Sequence, residues 1–308
     1  MVKRSVAAIT DIYQNSILKD SSRNSFMIKR MEDLADRTIW AMGEQLKCGD
    51  FVPFVFEHKF NMEVGDGDRK QLMSGTIDRV DICENGTDVY VRIIDYKTGK
   101  KDFNIVKTYY GIDIQLMVYM EAAMKLVAKM RPGKNVIPAG VFYYNISDPI
   151  VSATTESAEE IEDKIKGELR LKGMVNSDKD IAEKMDNTEG TSLNIPVSRK
   201  ADGGFDSRRS KVMNTEQFNM LGRFVDVRAV DTADRIAGGD IRRSPYKDGQ
   251  FSSCDRCPYG AVCGFSVDLP GCNYRKLKKF DDEVLWNSIK EGVDENGKKM
   301  DTGAEECD

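Results

Sequence analysis

Hydrophobic and polar positions alternate along FVPFVFEHKF, where Phe54, Phe56, His58 and Phe60 interleave with Val55, Glu57 and Lys59. That period predicts a half-buried β-strand. GDGDRK after it reads as a turn, and KQLMSG leads into a second stretch of period two. TIDRVDIC and DVYVRIIDYK are both rich in β-branched residues, and Glu84-Asn85-Gly86-Thr87 separates them. Asn-Gly accepts the positive φ angles of a two-residue type I′ turn, so Gly75–Lys97 reads as a β-hairpin. With Asn85 and Gly86 as the turn, Glu84 faces Thr87 and Asp78 faces Ile93.

Elsewhere the period is helical. Val6, Ile9, Tyr13 and Ile17 share one face of a first helix. Ile28, Met31, Leu34, Ala35, Ile39, Met42 and Leu46 form the apolar stripe of a second, with Asn24 or Ser25 as its cap and Gly49 as its end. Trp40 in this helix reads as core. A third helix holds Gln115-Leu116-Met117-Val118-Tyr119, continues through MEAAMKLVAKM and stops at Arg131-Pro132-Gly133. VIPAGVFYYNI then predicts a buried strand. Hairpin, helix and strand in this order make an α/β core with a helix packed on one sheet face. Residues 150–190 are mostly polar, with helical spacing only at Ile161, Ile165 and Leu169, and read as a surface insertion. Residues 191–213 suggest a strand and a Gly-rich loop, with Arg199, Lys200, Arg208, Arg209 and Lys211 as candidate phosphate contacts. A last long helix runs from Asn214 to Gly238-Gly239.

Composition changes this picture little. The chain has 308 residues, 40% hydrophobic and 31% charged, which is ordinary for a globular protein. No run of eighteen apolar residues predicts a membrane helix, and the first residues lack the apolar centre of a signal peptide, so a cytoplasmic protein is expected. A net charge of −5 argues against a generally sticky nucleic-acid binder. The charge is uneven, however. Residues 241–280 are basic, through Arg242, Arg243, Lys247, Arg256, Arg275, Lys276, Lys278 and Lys279, and the tail from Asp281 is acidic. A basic zone of this kind can track a phosphate backbone.

The hairpin carries the candidate chemistry. Opposed residues of an antiparallel pair share a face, so Asp78, Ile93, Asp95 and Lys97 point to one side and Asp81 to the other. Asp78 and Asp95 are then diagonal neighbours. Two carboxylates and an ammonium suit phosphodiester hydrolysis, because a hard cation such as Mg2+ or Mn2+ takes oxygen ligands and a lysine stabilises developing charge. Gln115 and Tyr119, four apart, share a helix face. His58 is the only histidine and reads as structural. Cys254, Cys257 and Cys263, in C-x2-C-x5-C, suggest metal ligation in a reducing compartment. Zinc or an iron–sulfur cluster would need a fourth ligand; Cys272 is the nearest candidate, ahead of Cys48, Cys83 and Cys307.

The order G-x-I-D, D-Y-K and Q-x-x-x-Y resembles the RecB-like branch of the PD-(D/E)XK nuclease superfamily. That resemblance implies a restriction-endonuclease-like α/β fold, a mixed sheet flanked by helices. It also implies that Asp78 and Asp95 hold the metal, that Lys97 is catalytic, and that Gln115 and Tyr119 line the site. With the cysteine trio, R-N-S-F-M-I-K-R-M and D-F-V-P-F-V-F-E, nearly the whole chain resembles the iron–sulfur nuclease domains of the AddB family. In that family Cys254, Cys257 and Cys263 match the trio that holds a four-iron four-sulfur cluster together with one upstream cysteine. Neither that cysteine nor the family's G-x-x-x-H helix is found here, and no ATP-binding G-x-x-x-x-G-K-[ST] loop occurs. The chain is therefore expected to be the C-terminal piece of a longer protein, with the cluster site incomplete.

The expected organisation is a helical lead-in (1–50), nuclease core (51–149), an insertion with completing helices (150–240), a basic cysteine-rich segment (241–280) and an acidic tail (281–308). The function implied is a metal-dependent DNA exonuclease that cuts single strands unwound by an AddA-like helicase–nuclease partner in double-strand-break repair. A CRISPR-associated iron–sulfur exonuclease and a non-catalytic DNA-binding scaffold with the same fold are the alternatives.

Overall fold

The computed structural model describes residues 2–12, 21–64, 70–152 and 157–294. The expected turn at residues 65–69, the helical positions Tyr13 and Ile17, and the last residues of the acidic tail lie outside them. In chain order the elements are α1 (Val2–Ile12), α2 (Ser22–Lys47), β1 (Val52–Val64), β2 (Gln71–Asn85), β3 (Asp88–Lys97), α3 (Ile105–Tyr109), α4 (Gln115–Met130), β4 (Asn135–Asn145) and α5 (Ala158–Glu168). They continue as β5 (Lys172–Asn176), α6 (Lys179–Met185), β6 (Val212–Met213), α7 (Thr215–Ala237), β7 (Tyr246–Asp248), β8 (Phe251–Ser252), α8 (Gly260–Cys263), β9 (Arg275–Lys276) and α9 (Asp282–Asp294). Two compact units result, one of residues 1–58, 76–103 and 123–215, the other of residues 59–75, 104–122 and 216–308.

A mixed sheet of order β1-β2-β3-β4-β5-β6 dominates the first unit, flanked by helices as the α/β pattern required. β3 and β4 pair in parallel, so the chain must cross over between them, and α3 and α4 lie on that crossover. In β4, Val91 faces Pro138 and Arg92 faces Gly140, so Ala139 is an extra residue. A bulge is where a central strand tolerates a proline, and the Pro138 carbonyl there accepts from Asn176 Nδ2 at 2.7 Å. One sheet face carries a core of Ile94, Phe142, Tyr144, Leu171, Val175 and Ile181, with Ala41 from α2.

Several expectations need correction. The hairpin pairs Asn85 with Asp88 and Val80 with Ile93, so Gly86 and Thr87, not Asn85 and Gly86, form the turn. Gly86 supplies the positive φ of 61°. Asn85 stays in the strand because its amide donates to Tyr90 Oη at 3.1 Å and to Asp180 at 3.0 Å. The shift is two residues in the pairing sum, so the side-chain parity survives. Continued one pair beyond Arg79↔Ile94, the register sets Asp78 across from Asp95 instead of diagonal to it.

In β1 the alternation breaks at Glu57, whose φ is +48°; Phe56 is exposed although Phe60 is buried. Ser21, not Asn24 or Ser25, caps α2, accepting from Asn24 N–H. Met31 and Ile39 of its expected stripe are exposed, while Ala41 and Gln45 are buried. The segment read as a surface insertion is part of the core. β5 pairs with β4 on one side and β6 on the other, and Leu169, Leu171, Val175, Ile181 and Met185 are buried. Its few apolar residues are the ones that face inward, which an average over a polar stretch conceals.

The second unit holds a small sheet of order β8-β7-β9. Tyr109 stacks on Phe224 (5.4 Å between centroids), and Phe280 meets both Tyr109 and Tyr110. Tyr110 Oη accepts from the Lys278 backbone N–H at 3.0 Å.

Candidate active site

The end of the hairpin away from the turn gathers three of the expected residues. Strand parity puts Asp95 and Lys97 on the side opposite Ile94 and Tyr96. Lys97 Nζ lies 2.6 Å from Asp95 Oδ2. One Asp78 carboxylate oxygen accepts from the Tyr96 backbone N–H at 2.8 Å, which fixes the first acid beside the strand that carries the second. Asp95 is 1% exposed. Burial pushes its carboxyl above the ordinary carboxylate range; Lys97 opposes that shift and the like charge of Asp78 adds to it.

Around this trio the sheet supplies further polar groups. Asp95 pairs with Tyr143 of β4 and Lys97 with Asn145. The Tyr143 ring is buried and carries two ammonium groups, Lys97 at 5.7 Å and Lys101 at 5.1 Å from its centroid. Asn145 clasps the loop after the catalytic strand from both sides. Its Oδ1 accepts from Lys101 N–H at 3.0 Å, and its Nδ2 donates to the Lys101 carbonyl at 2.9 Å. Lys101, Tyr143 and Asn145 were not singled out in the sequence. The T-G-K-K run after Lys97 was the available signal, but nothing local says that a strand forty residues on will hold it.

Asp81 is absent from this face, as parity required. Its carboxylate is fully buried and accepts from Arg79 at 2.6 and 2.8 Å and from Arg92 Nε at 2.9 Å. Arg199, one of the expected phosphate contacts, is occupied as well, donating to the carbonyls of Thr188, Ala182 and Asp186.

Gln115 and Tyr119 belong to the second unit. Gln115 Nε2 donates to Tyr119 Oη at 2.8 Å, as expected for helix neighbours four apart. Tyr119 meets the Phe60 ring edge-on at 5.8 Å. A Cβ on Gly75 would come within 2.9 Å of Phe60 and 3.5 Å of Tyr119, so the glycine of G-x-I-D makes room for these rings.

Two carboxylates fit a divalent cation that keeps most of its water. Among the described residues the cysteines do not come together as a closed metal site. Cys254 and Cys263 are half-buried, Cys257 is exposed and Cys272 is buried, all four as free thiols. Among the described residues no three His, Cys, Asp or Glu side chains come together to hold a metal ion. Cys48 and Cys83 lie in the first unit, and Cys307 is outside the described residues. Among the described residues, no helix is long and apolar enough to cross a membrane.

Known proteins resemble the chain over most of its length. The profile described as the PD-(D/E)XK nuclease superfamily matches residues 2–264. The chain is 34% identical over 296 residues to the B-type subunit of an ATP-dependent helicase/deoxyribonuclease from Thermoanaerobacter sp. (strain X514), covering 92% of this chain and 25% of that protein. Proteins of the same name from Lachnoclostridium phytofermentans (35% over 315 residues, 99% and 27%) and Clostridium botulinum strain Hall (36% over 289 residues, 90% and 25%) are similar too. The chain thus spans about a quarter of the length of the curated relatives it matches.

Proposed function

Because the chain belongs to the PD-(D/E)XK nuclease superfamily, we propose that it is a metal-dependent deoxyribonuclease module that hydrolyses phosphodiesters of single strands within a helicase–nuclease complex. The observation that carries this reading is the Asp95–Lys97 ion pair of 2.6 Å with Asp78 fixed beside it. Nucleases of this superfamily generally use divalent metal ions, and Asp78 and Asp95 would hold one, Mg2+ or Mn2+. Once bound, it would polarise the scissile phosphate and acidify a water.

The chain's own residues do the rest. Lys97 is the donor to the phosphate oxygens on which charge builds, already positioned by Asp95 on one side and the Tyr143 ring on the other. Burial raises the Asp95 carboxyl, and a cation held beside it would favour its ionised form again. Tyr96 N–H holds one oxygen of Asp78, which would fix that carboxylate in place to hold the cation. Gln115 and Tyr119 are assigned to the lining of the site by family resemblance. The names of the relatives favour an AddB-like role with an AddA-like motor partner over a CRISPR-associated exonuclease.

Digestion of end-labelled single-stranded DNA by the full chain in Mg2+ or Mn2+ tests the reading. Loss of cleavage in both Asp95→Ala and Lys97→Ala is the expected result. Cleavage that persists in both belongs to a contaminant and ends the proposal.

A further inference from the structure

A row of side chains continues from the catalytic hairpin across two more strands. Asp95 of β3 pairs with Tyr143 of β4, and Tyr143 pairs with Lys172 of β5. Directly paired residues share a sheet face, so Asp95, Tyr143 and Lys172 stand side by side on one face. Two strand spacings separate the ends of this row, about 10 Å. Gly173 permits the close approach, since a Cβ there would run into the Val141 carbonyl and Phe142 Cα.

Lys172 is the unusual member. It is half-buried, and among the described residues it has no hydrogen-bond or ion-pair partner. Burial, with Arg170 next, pushes its ammonium below the ordinary lysine range; Lys211 pushes the same way, and Glu168 and Asp102 oppose. A lysine held in this way costs folding free energy that an anion beside it would offset. Lys101 stands over the Tyr143 ring between the two ends, its backbone fixed by Asn145. Lys211 pairs with Asp102, which holds the same loop at its next residue.

We propose that this row is a binding track for single-stranded nucleic acid, in which Lys101 and Lys172 receive the phosphates next to the scissile one. The inference rests on the hydrolytic reading of the Asp78, Asp95 and Lys97 site, which supplies the scissile position. Its chemistry is backbone recognition, independent of base sequence. The Tyr143 ring is buried and serves as a floor for the ammonium groups; bases do not stack on it.

Binding is read apart from cleavage. Fluorescence anisotropy of a labelled oligothymidylate titrated with the full chain in EDTA, at several salt concentrations, gives Kd and its salt dependence. Lys172→Met and Lys101→Met are each expected to weaken binding about five- to tenfold and to lower the slope of log Kd against log salt by about 0.7. Lys172→Arg should keep the parent values, and so should Lys47→Met, an exposed lysine paired with Glu44. Lys172→Gln replaces Lys172→Met if the latter melts early by circular dichroism. Parent-like Kd and slope in the Lys172 variant overturn the track, even if Lys101→Met alone weakens binding, because Lys101 already adjoins Lys97. A parent that binds through Lys172 but cuts nothing refutes the hydrolytic reading and leaves the phosphate track standing. A parent that cuts but is indifferent to Lys172 does the reverse.

Discussion

The two faces of the β2–β3 hairpin carry opposite balances of charge, one acid with two arginines against two acids with one lysine, and put them to different uses. On the reverse face, Asp81 is bound by two arginines, and all three side chains are at most 2% exposed. On the front face, Lys97, 28% exposed, pairs with Asp95, and Asp78 accepts from the Tyr96 backbone N–H. The first cluster is closed: each carboxylate oxygen has a guanidinium, and Arg79 reaches on to Tyr96 Oη at 3.4 Å. The second sets two acids against one hairpin lysine, and burial, with the like charge of Asp78 adding to it, raises the Asp95 carboxyl. A buried charge network that satisfies itself holds structure, whereas one that does not is ready for a ligand.

Substitutions of the matched acids should separate these roles. The largest effect is expected from Asp95→Asn, which should lower single-strand cleavage by three to four orders of magnitude, about 4–5 kcal/mol of barrier, with the urea midpoint not reduced. Steady-state digestion beside urea melts checks both halves. Asp81→Ala should invert the pattern. Two buried guanidinium groups lose their counter-charge, at about 3–5 kcal/mol of stability, while kcat per folded molecule changes little at low temperature. A second change, Arg79→Met, should recover part of that stability, since it removes one uncompensated charge.

Smaller effects sharpen the contrast. A carboxyl whose folded value is raised binds its proton more tightly in the native state, so its stability contribution is complete below the unfolded value and is lost as pH rises through the folded one. In cation-free protein, Asp95→Asn should therefore gain stability over the parent as the pH rises from about 4 towards neutrality. Urea midpoints across that range measure it, and a constant difference would contradict the assigned cause. Asn145→Ala, which removes both clasps on Lys101, should cost about 1 kcal/mol and raise KM more than it lowers kcat. Least of all, Arg131→Ala at the turn end breaks a Glu84 pair at 2.8 Å on the surface, and should change stability by less than about 1 kcal/mol and cleavage not at all.

Much of the hairpin was legible because its information is local. Asp78, Asp95 and Lys97 were assigned to one face by counting twos, and a turn displaced by one residue left that parity intact. Asn85 shows where local reasoning stops. Its turn propensity lost to hydrogen bonds with Tyr90 and with Asp180, the latter ninety-five residues away. Leu171 and Val175 sat in a stretch whose composition looked like surface, and only pairing with β4 made them core.

By itself the sequence determined the hairpin, the face on which its two acids and its lysine lie, and the family that its motifs resemble. The shared face follows from backbone geometry within a few residues, and the family from the resemblance of the motifs. Tertiary structure alone decided that Asp81 is neutralised by Arg92 as well as Arg79, that Asn145 clasps Lys101, and that Lys172 stands in line with Asp95. These depend on which strands become neighbours and on what each charge meets there, and neither is written in any single stretch of chain.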